Sequence, residues 1–298
     1  MILVRIPNWV GDAVISRGFV KALKEKFNGE IFIIGKEHLK DIFYDYNFCG
    51  FKNYLDYFRI LKVFKNRGFE KIFILPFSFS SAFFPFLAGI SLRIGIDSDN
   101  RGTLLTHKVS GFYIKREHLL KSFLRLIGLE KNFYNFNPDF EKIEVNEKDD
   151  LVIIAPEASY GKTKEWPFFK DLAKFLLKEG FEVIIVGKRK NEDYPKGVID
   201  LRGKTNLGDI LRIVSESRYV FSNDSGVAHI ASALGKKVFV FFGSTSPLWT
   251  RPLGKNVFIF YKRISCSPCF KRVCEFGTYE CLKKIDLREV IKVFKILR

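Results

Sequence analysis

The sequence predicts an α/β fold made of two doubly wound parallel-sheet domains. Three observations lead there. Short apolar runs that suit buried strands alternate with segments whose apolar residues recur at helical spacing. A polar stretch at residues 141–150 interrupts this alternation, and the pattern restarts at Leu151. The chain has 298 residues, enough for two domains of ordinary size, and its 47% hydrophobic content, with 33 Phe, can fill two cores. Such alternation implies parallel strands with helices on both faces. The expected domains are residues 1–150 and 151–298, with the last helix returning to the first domain.

Residues 2–6 form an apolar run, a buried strand. Residues 12–27 carry Val14, Ile15, Phe19, Leu23 and Phe27 at helical spacing. Strands follow at 31–34, 71–75 and 93–96, and a helix at 119–127 stops at Gly128. Residues 72–92 carry no charge and are long enough to span a bilayer, but Pro76, Ser78, Ser80, Ser81 and Pro85 interrupt them. They read as a strand, a Ser-rich turn and a helix that is buried or faces a membrane. In the second domain, strands are expected at 151–155, 182–186, 219–222 and 238–242. Helices are expected at 167–179, with Pro167 in the first turn, and at 207–217, 226–234 and 287–297.

Fifty Lys and Arg against 33 Asp and Glu leave a net charge of +17. That excess attracts polyanions: nucleic acid, anionic lipid or phosphorylated sugars. No RNA- or DNA-binding motif accompanies it, so nucleic acid is not an expected partner. The N-terminal residues lack a signal-peptide pattern, and an odd count of five Cys does not resemble a secreted disulfide framework. A cytoplasmic location is expected.

Four constellations could carry chemistry, and the first three follow strands, where ligands of doubly wound sheets bind. Asn223-Asp224-Ser225-Gly226-Val227-Ala228-His229 opens a helix, whose N-terminal N–H groups and dipole suit a phosphate, with His229 one turn on. The plainer reading is an Asp or Ser N-cap above a packed His. Ser159-Tyr160 and Lys164-Glu165-Trp166-Pro167 place a cation and hydroxyls after a strand, fit to hold a diphosphate. A solvated loop Lys is the alternative. Pro7-Asn8-Trp9-Val10-Gly11-Asp12 lacks the G-x-G-x-x-G fingerprint, which disfavours a nicotinamide cofactor. Asp12 there is either a general base or a helix-capping carboxylate. Cys266, Cys269, Cys274 and Cys281 offer zinc or iron–sulfur ligation without the spacing of a standard ribbon, or else are packed thiols or reversible disulfides.

Together these motifs, with Pro76-x-Ser78-Phe79-x-Ser81-Ala82, Leu87-Ala88-Gly89-Ile90, Phe242-Gly243-Ser244-Thr245-x-Pro247 and Cys266-Ser267-Pro268-Cys269-Phe270-x-Arg272-x-Cys274, resemble the heptosyltransferase family, glycosyltransferase family nine, over nearly the whole chain. The resemblance implies a GT-B fold, with two Rossmann-like domains facing a central cleft. It implies inverting transfer of heptose from ADP-L-glycero-D-manno-heptose to the inner core of lipopolysaccharide on lipid A, with no metal or other cofactor. By the same resemblance Asp12 is the base, and Ser159 and Lys164 hold the diphosphate. Asp224, Ser225, Gly226 and His229 hold the sugar-nucleotide, while Glu192 and Thr205 fall near adenosine contacts. Two departures bear on the donor: Pro156-Glu157 stands where relatives often have Pro-Gly, and Tyr160 where Thr is frequent. The cysteine-rich loop recurs in relatives and needs no metal. A monomer is expected, peripheral on the anionic inner membrane, through the apolar segment at 83–86 and the basic one at 261–298. The alternatives are a related glycosyltransferase with another nucleotide-sugar donor, and a non-catalytic nucleotide- or metal-binding protein.

Overall fold

The computed structural model describes residues 1–189 and 193–298, so the expectation on Glu192 lies outside the described residues. The chain forms two compact units, Met1–Pro138 and Asp139–Arg298.

The first unit runs β1 (Ile2–Arg5), α1 (Val10–Lys26), β2 (Ile31–Lys36), β3 (Asn47–Phe51), α2 (Tyr54–Asn66), β4 (Lys71–Ile74), α3 (Phe79–Leu87), β5 (Leu92–Ile96), β6 (His107–Val109) and α4 (Leu119–Leu124), with short 3₁₀ turns between. Its strands pair in parallel in the order β3-β2-β1-β4-β5-β6. β1 is central because all four of its residues are buried, and Leu3 lies between Phe32 and Ile72. The uncharged stretch at 72–92 resolves into β4, a turn and α3. Among the described residues no helix is long and apolar enough to cross a membrane. The sequence reading passed over β3 and α2. β3 contains Asn and Gly and buries only Phe51, as suits an edge strand. α2 was legible, since Tyr57, Leu61 and Phe64 recur at helical spacing and all enter the core.

The second unit runs β7 (Lys148–Ala155), α5 (Phe169–Lys178), β8 (Glu182–Ile185), β9 (Ile199–Asp200), α6 (Leu207–Glu216), β10 (Ser217–Asn223), α7 (Gly226–Ala233), β11 (Lys237–Phe242), α8 (Pro247–Thr250), β12 (Val257–Tyr261), α9 (Glu280–Lys283) and α10 (Leu287–Leu297). The parallel order is β12-β11-β10-β7-β8-β9. Counted from each unit's own first strand, this is the same order as in the first unit, that of a dinucleotide-binding sheet. β7 starts at Lys148, ahead of the expected Leu151, because its exposed polar end still pairs with Ser217 across a register shift.

The C-terminal helix, expected to return to the first domain, packs on the sheet of its own unit. α10 buries Val290 and Phe294. The Phe294 ring lies 5.1 Å from Tyr219, 5.5 Å from Phe221 and 5.8 Å from Phe239, edge-on to each. Such edge-to-face pairs add about 0.5–1.5 kcal/mol each beyond simple burial. This aromatic cluster holds the helix in place.

Candidate functional site at the sheet switch point of the second unit

In the second unit the chain first builds outward from β7 to β8 and β9, then crosses to lay β10, β11 and β12 on the other side. The direction reverses between β7 and β10, and the carboxyl ends of strands at such a point form a natural ligand crevice. The loops there carry Lys164 after β7, Asp224 after β10 and Thr245 after β11.

These three side chains meet. Lys164 Nζ donates to Asp224 Oδ2 at 2.5 Å and to the Asp224 carbonyl at 3.3 Å, and Thr245 Oγ1 donates to the same carboxylate oxygen at 2.7 Å. Asp224 is 3% exposed and Lys164 13% at the side chain. Two of the three ammonium donors are thus used, leaving one for a ligand oxygen. The Lys164 ammonium also sits 5.0 Å from the centre of the Tyr160 ring.

Asn223 ties the two strands of the switch point together. Its fully buried amide donates to Pro156 O at 2.7 Å and accepts from the Trp166 N–H at 2.9 Å. Trp166 stacks on Phe241 at 4.1 Å and 3°, and its ring N–H donates to Ile285 O at 2.9 Å, so the backbone beside Lys164 is clamped from several sides. The loop after β11 comes equally close. A Cβ on Gly243 would meet the Thr163 carbonyl at 2.5 Å, which leaves room only for glycine.

Ser225 is the N-cap of α7, as the plainer reading had it, but its side chain makes no capping bond. The hydroxyl is engaged with Ser222 Oγ at 2.9 Å. The Ser225 side chain therefore leaves the first-turn N–H groups of α7 uncapped, and such groups suit an anion. His229 is buried one turn into α7.

The remaining predicted residues are placed differently. Ser159 is exposed on the β7 loop. Tyr160 spends its hydroxyl on Phe270 O at 2.5 Å, and Thr163 donates to Lys271 O at 2.8 Å. Both residues moor the cysteine-rich loop to the site loop. Thr205 follows β9 at the sheet edge, two strands from β7. Glu157 accepts the backbone N–H groups of Lys188 at 3.0 Å and Arg189 at 2.9 Å, closing the loop after β8. Asn223 and Thr245 fall within motifs legible in the sequence, but no role was legible for either; Asn223 ends β10 and Thr245 lies three residues beyond β11. Sequence reasoning also missed Thr163.

All five cysteines are free thiols. Among the described residues no group of three or more His, Cys, Asp or Glu is arranged to hold a metal ion, so the metal alternative at Cys266, Cys269, Cys274 and Cys281 gains no support from their placement. The four line one small cavity of about 40 Å³. Burial, reinforced by the neighbouring thiols, raises the Cys281 pKa. Backbone N–H groups led by that of Tyr279 hold Cys274 below the ordinary thiol value.

In the first unit Asp12 stands in the first turn of α1, whose N-cap is Trp9, so Asp12 is not itself the cap. The loop before it is braced by Arg5. That guanidinium is 2% exposed, donates to Asn8 Oδ1 at 2.6 Å and lies 4.7 Å from the Phe51 ring centre. Burial lowers its pKa.

The model for glycosyltransferase family 9 (heptosyltransferase) matches residues 57–280. Among curated relatives, lipooligosaccharide heptosyltransferase 2 of Haemophilus ducreyi is 28% identical, with 87% of each chain covered. Lipopolysaccharide heptosyltransferase 2 of Salmonella typhimurium is 25% identical, with 85% of each covered. Among solved structures, the E. coli ADP-heptose lps heptosyltransferase II superposes with a TM-score of 0.74 at 20% identity, over 97% of this chain and 99% of the other. A family 9 glycosyl transferase of Veillonella parvula reaches 0.81 at 15% identity, over 99% and 96%. The expected GT-B class of α/β fold agrees with these neighbours. With a family model spanning most of its length and two doubly wound sheets of identical strand order, the chain belongs to glycosyltransferase family 9, the heptosyltransferases.

Proposed function

We propose that this glycosyltransferase moves heptose from ADP-L-glycero-D-manno-heptose to the inner core of lipopolysaccharide, with inversion at the anomeric carbon. The observation that carries the reading is the joining of Lys164, Asp224 and Thr245 beside a helix start that its N-cap residue, Ser225, leaves uncapped. A diphosphate brought to the switch point meets the remaining Lys164 N–H and the α7 N–H groups. These donors face the charge that develops on departing ADP. They do so in place of a divalent ion, and no cofactor enters the reaction.

Asp12 is the general base. It takes the proton of the acceptor hydroxyl as that oxygen attacks the anomeric carbon, and ADP leaves from the opposite face. Ser159 and Tyr160 flank the diphosphate, Asp224 and His229 orient the sugar-nucleotide, and Thr205 lies toward the adenosine. The acceptor is carried on lipid A, so the enzyme works at a membrane surface, and the reading takes it as a monomer there.

The test is turnover of ADP-heptose with a truncated core acceptor, read by mass, beside UDP- and GDP-sugars. A product heavier by one heptose, formed only from the ADP donor, is the expected result. Transfer from another nucleotide-sugar, or none from ADP-heptose, would refute the donor assignment.

A further inference from the structure

α3 exposes part of an uncharged, aromatic-rich sequence. Its sequence, Phe-Ser-Ser-Ala-Phe-Phe-Pro-Phe-Leu, carries no charge. The residues turned into the first unit are Ser81, Ala82 and Pro85, with Phe84 packed partly against its core, whereas Phe79, Phe86 and Leu87 stand exposed, the last two at 46% each. A helix on a water-facing surface ordinarily turns polar or charged side chains outward. Polar bonds fix the orientation. Ser81 Oγ donates to Ser78 O at 2.6 Å and accepts from Arg101 Nη1 at 2.7 Å, and Arg101 is fully buried. Rolling the helix to hide its aromatic residues would break that anchor.

The apolar face continues onto α2. Phe84 stacks on Tyr54 at 5.2 Å, Ser80 Oγ donates to the Tyr54 hydroxyl at 3.1 Å, and both Tyr54 and Leu55 are exposed. Cations border the face. The Arg93 guanidinium lies 5.3 Å from the Phe86 ring centre, Lys62 Nζ 5.6 Å from that of Phe58, and Lys36 Nζ 5.8 Å from that of Tyr54. The carboxylate of Asp99 receives the Phe79 N–H at the helix start. Exposed Phe and Leu with Lys and Arg beside them match the interface of an anionic bilayer, where apolar side chains enter the acyl boundary and cations remain among the head groups.

We propose that the outer face of α3, with Tyr54 and Leu55 of α2, docks the first unit on an anionic lipid bilayer through Phe79, Phe86 and Leu87. The inference rests on the reading that the acceptor is lipid-borne, and it names the surface that meets the lipid.

The experiment is vesicle co-sedimentation of the full chain without donor or acceptor, so it is blind to turnover. Vesicles of phosphatidylethanolamine with phosphatidylglycerol are compared with phosphatidylcholine alone, at low and high salt. The double variant Phe86→Ser/Leu87→Ser is expected to lower partitioning onto anionic vesicles by about tenfold or more, with its melting transition and far-UV dichroism retained. Lys62→Glu, an exposed change that does not disturb the core, is expected to weaken binding at low salt and flatten its salt dependence. A wild-type chain that stays in the supernatant, or variants that sediment like wild type, would overturn the proposal. So would self-association in sedimentation equilibrium that the double variant abolishes without any vesicle binding, since the face would then cover a second copy. Loss of vesicle binding in the variants with heptose transfer absent in wild type separates failure of the functional reading from failure of this one.

Discussion

Lys164 and Asp224, sixty positions apart in sequence, are joined at 2.5 Å, and Thr245 donates to the same carboxylate oxygen. The pair sits across the switch point of the second sheet, one partner on each side. Replacing Lys164 by Met keeps the stem and removes the donor. It is expected to lower kcat/KM by about 10²–10³, the usual loss when one preorganised donor to developing charge is deleted. Steady-state kinetics and calorimetric titration with ADP check this, and ADP binding unchanged from wild type would remove Lys164 from the diphosphate site.

Asp12 is predicted to behave as a base and not as a binding group. Asp12→Asn should reduce kcat by about 10²–10⁴. Donor affinity, read by titration with ADP, should stay within error of wild type. Near-normal turnover in the variant would exclude Asp12 from proton transfer.

Asn223 makes two buried bonds that join the β7 and β10 loops. Asn223→Ala leaves the Pro156 carbonyl and the Trp166 N–H without partners. Each orphaned group costs about 1–3 kcal/mol, so urea unfolding should show a clear fall in midpoint. Weaker ADP binding is expected with it, because Lys164 lies two residues from Trp166.

Phe294 anchors the last helix. Phe294→Ala is expected to cost about 3–5 kcal/mol, the range for deleting a buried Phe. A fall in denaturation midpoint at unchanged m-value is the signature. A loss below about 1 kcal/mol would contradict the packing of α10 on this sheet.

Thiol reactivity should follow local environment. Backbone N–H groups hold the Cys274 pKa down, whereas burial raises those of Cys281 and Cys49. The thiolate is the nucleophile, so alkylation with iodoacetamide should reach Cys274 at lower pH than Cys281 or Cys49. Peptide mass mapping over a pH series reads the order directly, and earlier labelling of Cys281 would contradict it.

Sequence pattern was enough for the alternation of strands and helices, the restart near Leu151 and the motif order that marks the family. These are local properties. An apolar run such as Val-Phe-Val-Phe-Phe in β11 makes a buried strand whatever lies beside it, and residues directly after strands fall at the ligand edge of a doubly wound sheet. The role of individual side chains was less legible. Tyr160 and Lys164 stand four positions apart and looked alike as donor contacts, yet one is bound to the cysteine-rich loop and the other to Asp224. Very short elements such as β6 and β9 carry too few residues for any periodicity.

Chain composition and spacing decided by themselves that this protein has two parallel sheets and that a helix starts shortly after Asn223. Folding alone decided three things: that Thr245 completes the carboxylate–ammonium pair, that α10 packs on the second sheet, and that α3 turns Ser81 inward and Phe79, Phe86 and Leu87 outward. The division has a physical cause. Strand and helix formation depends on neighbours within a few residues, whereas hydrogen-bond partners and exposed faces depend on groups that only the packed chain brings within about 3–4 Å.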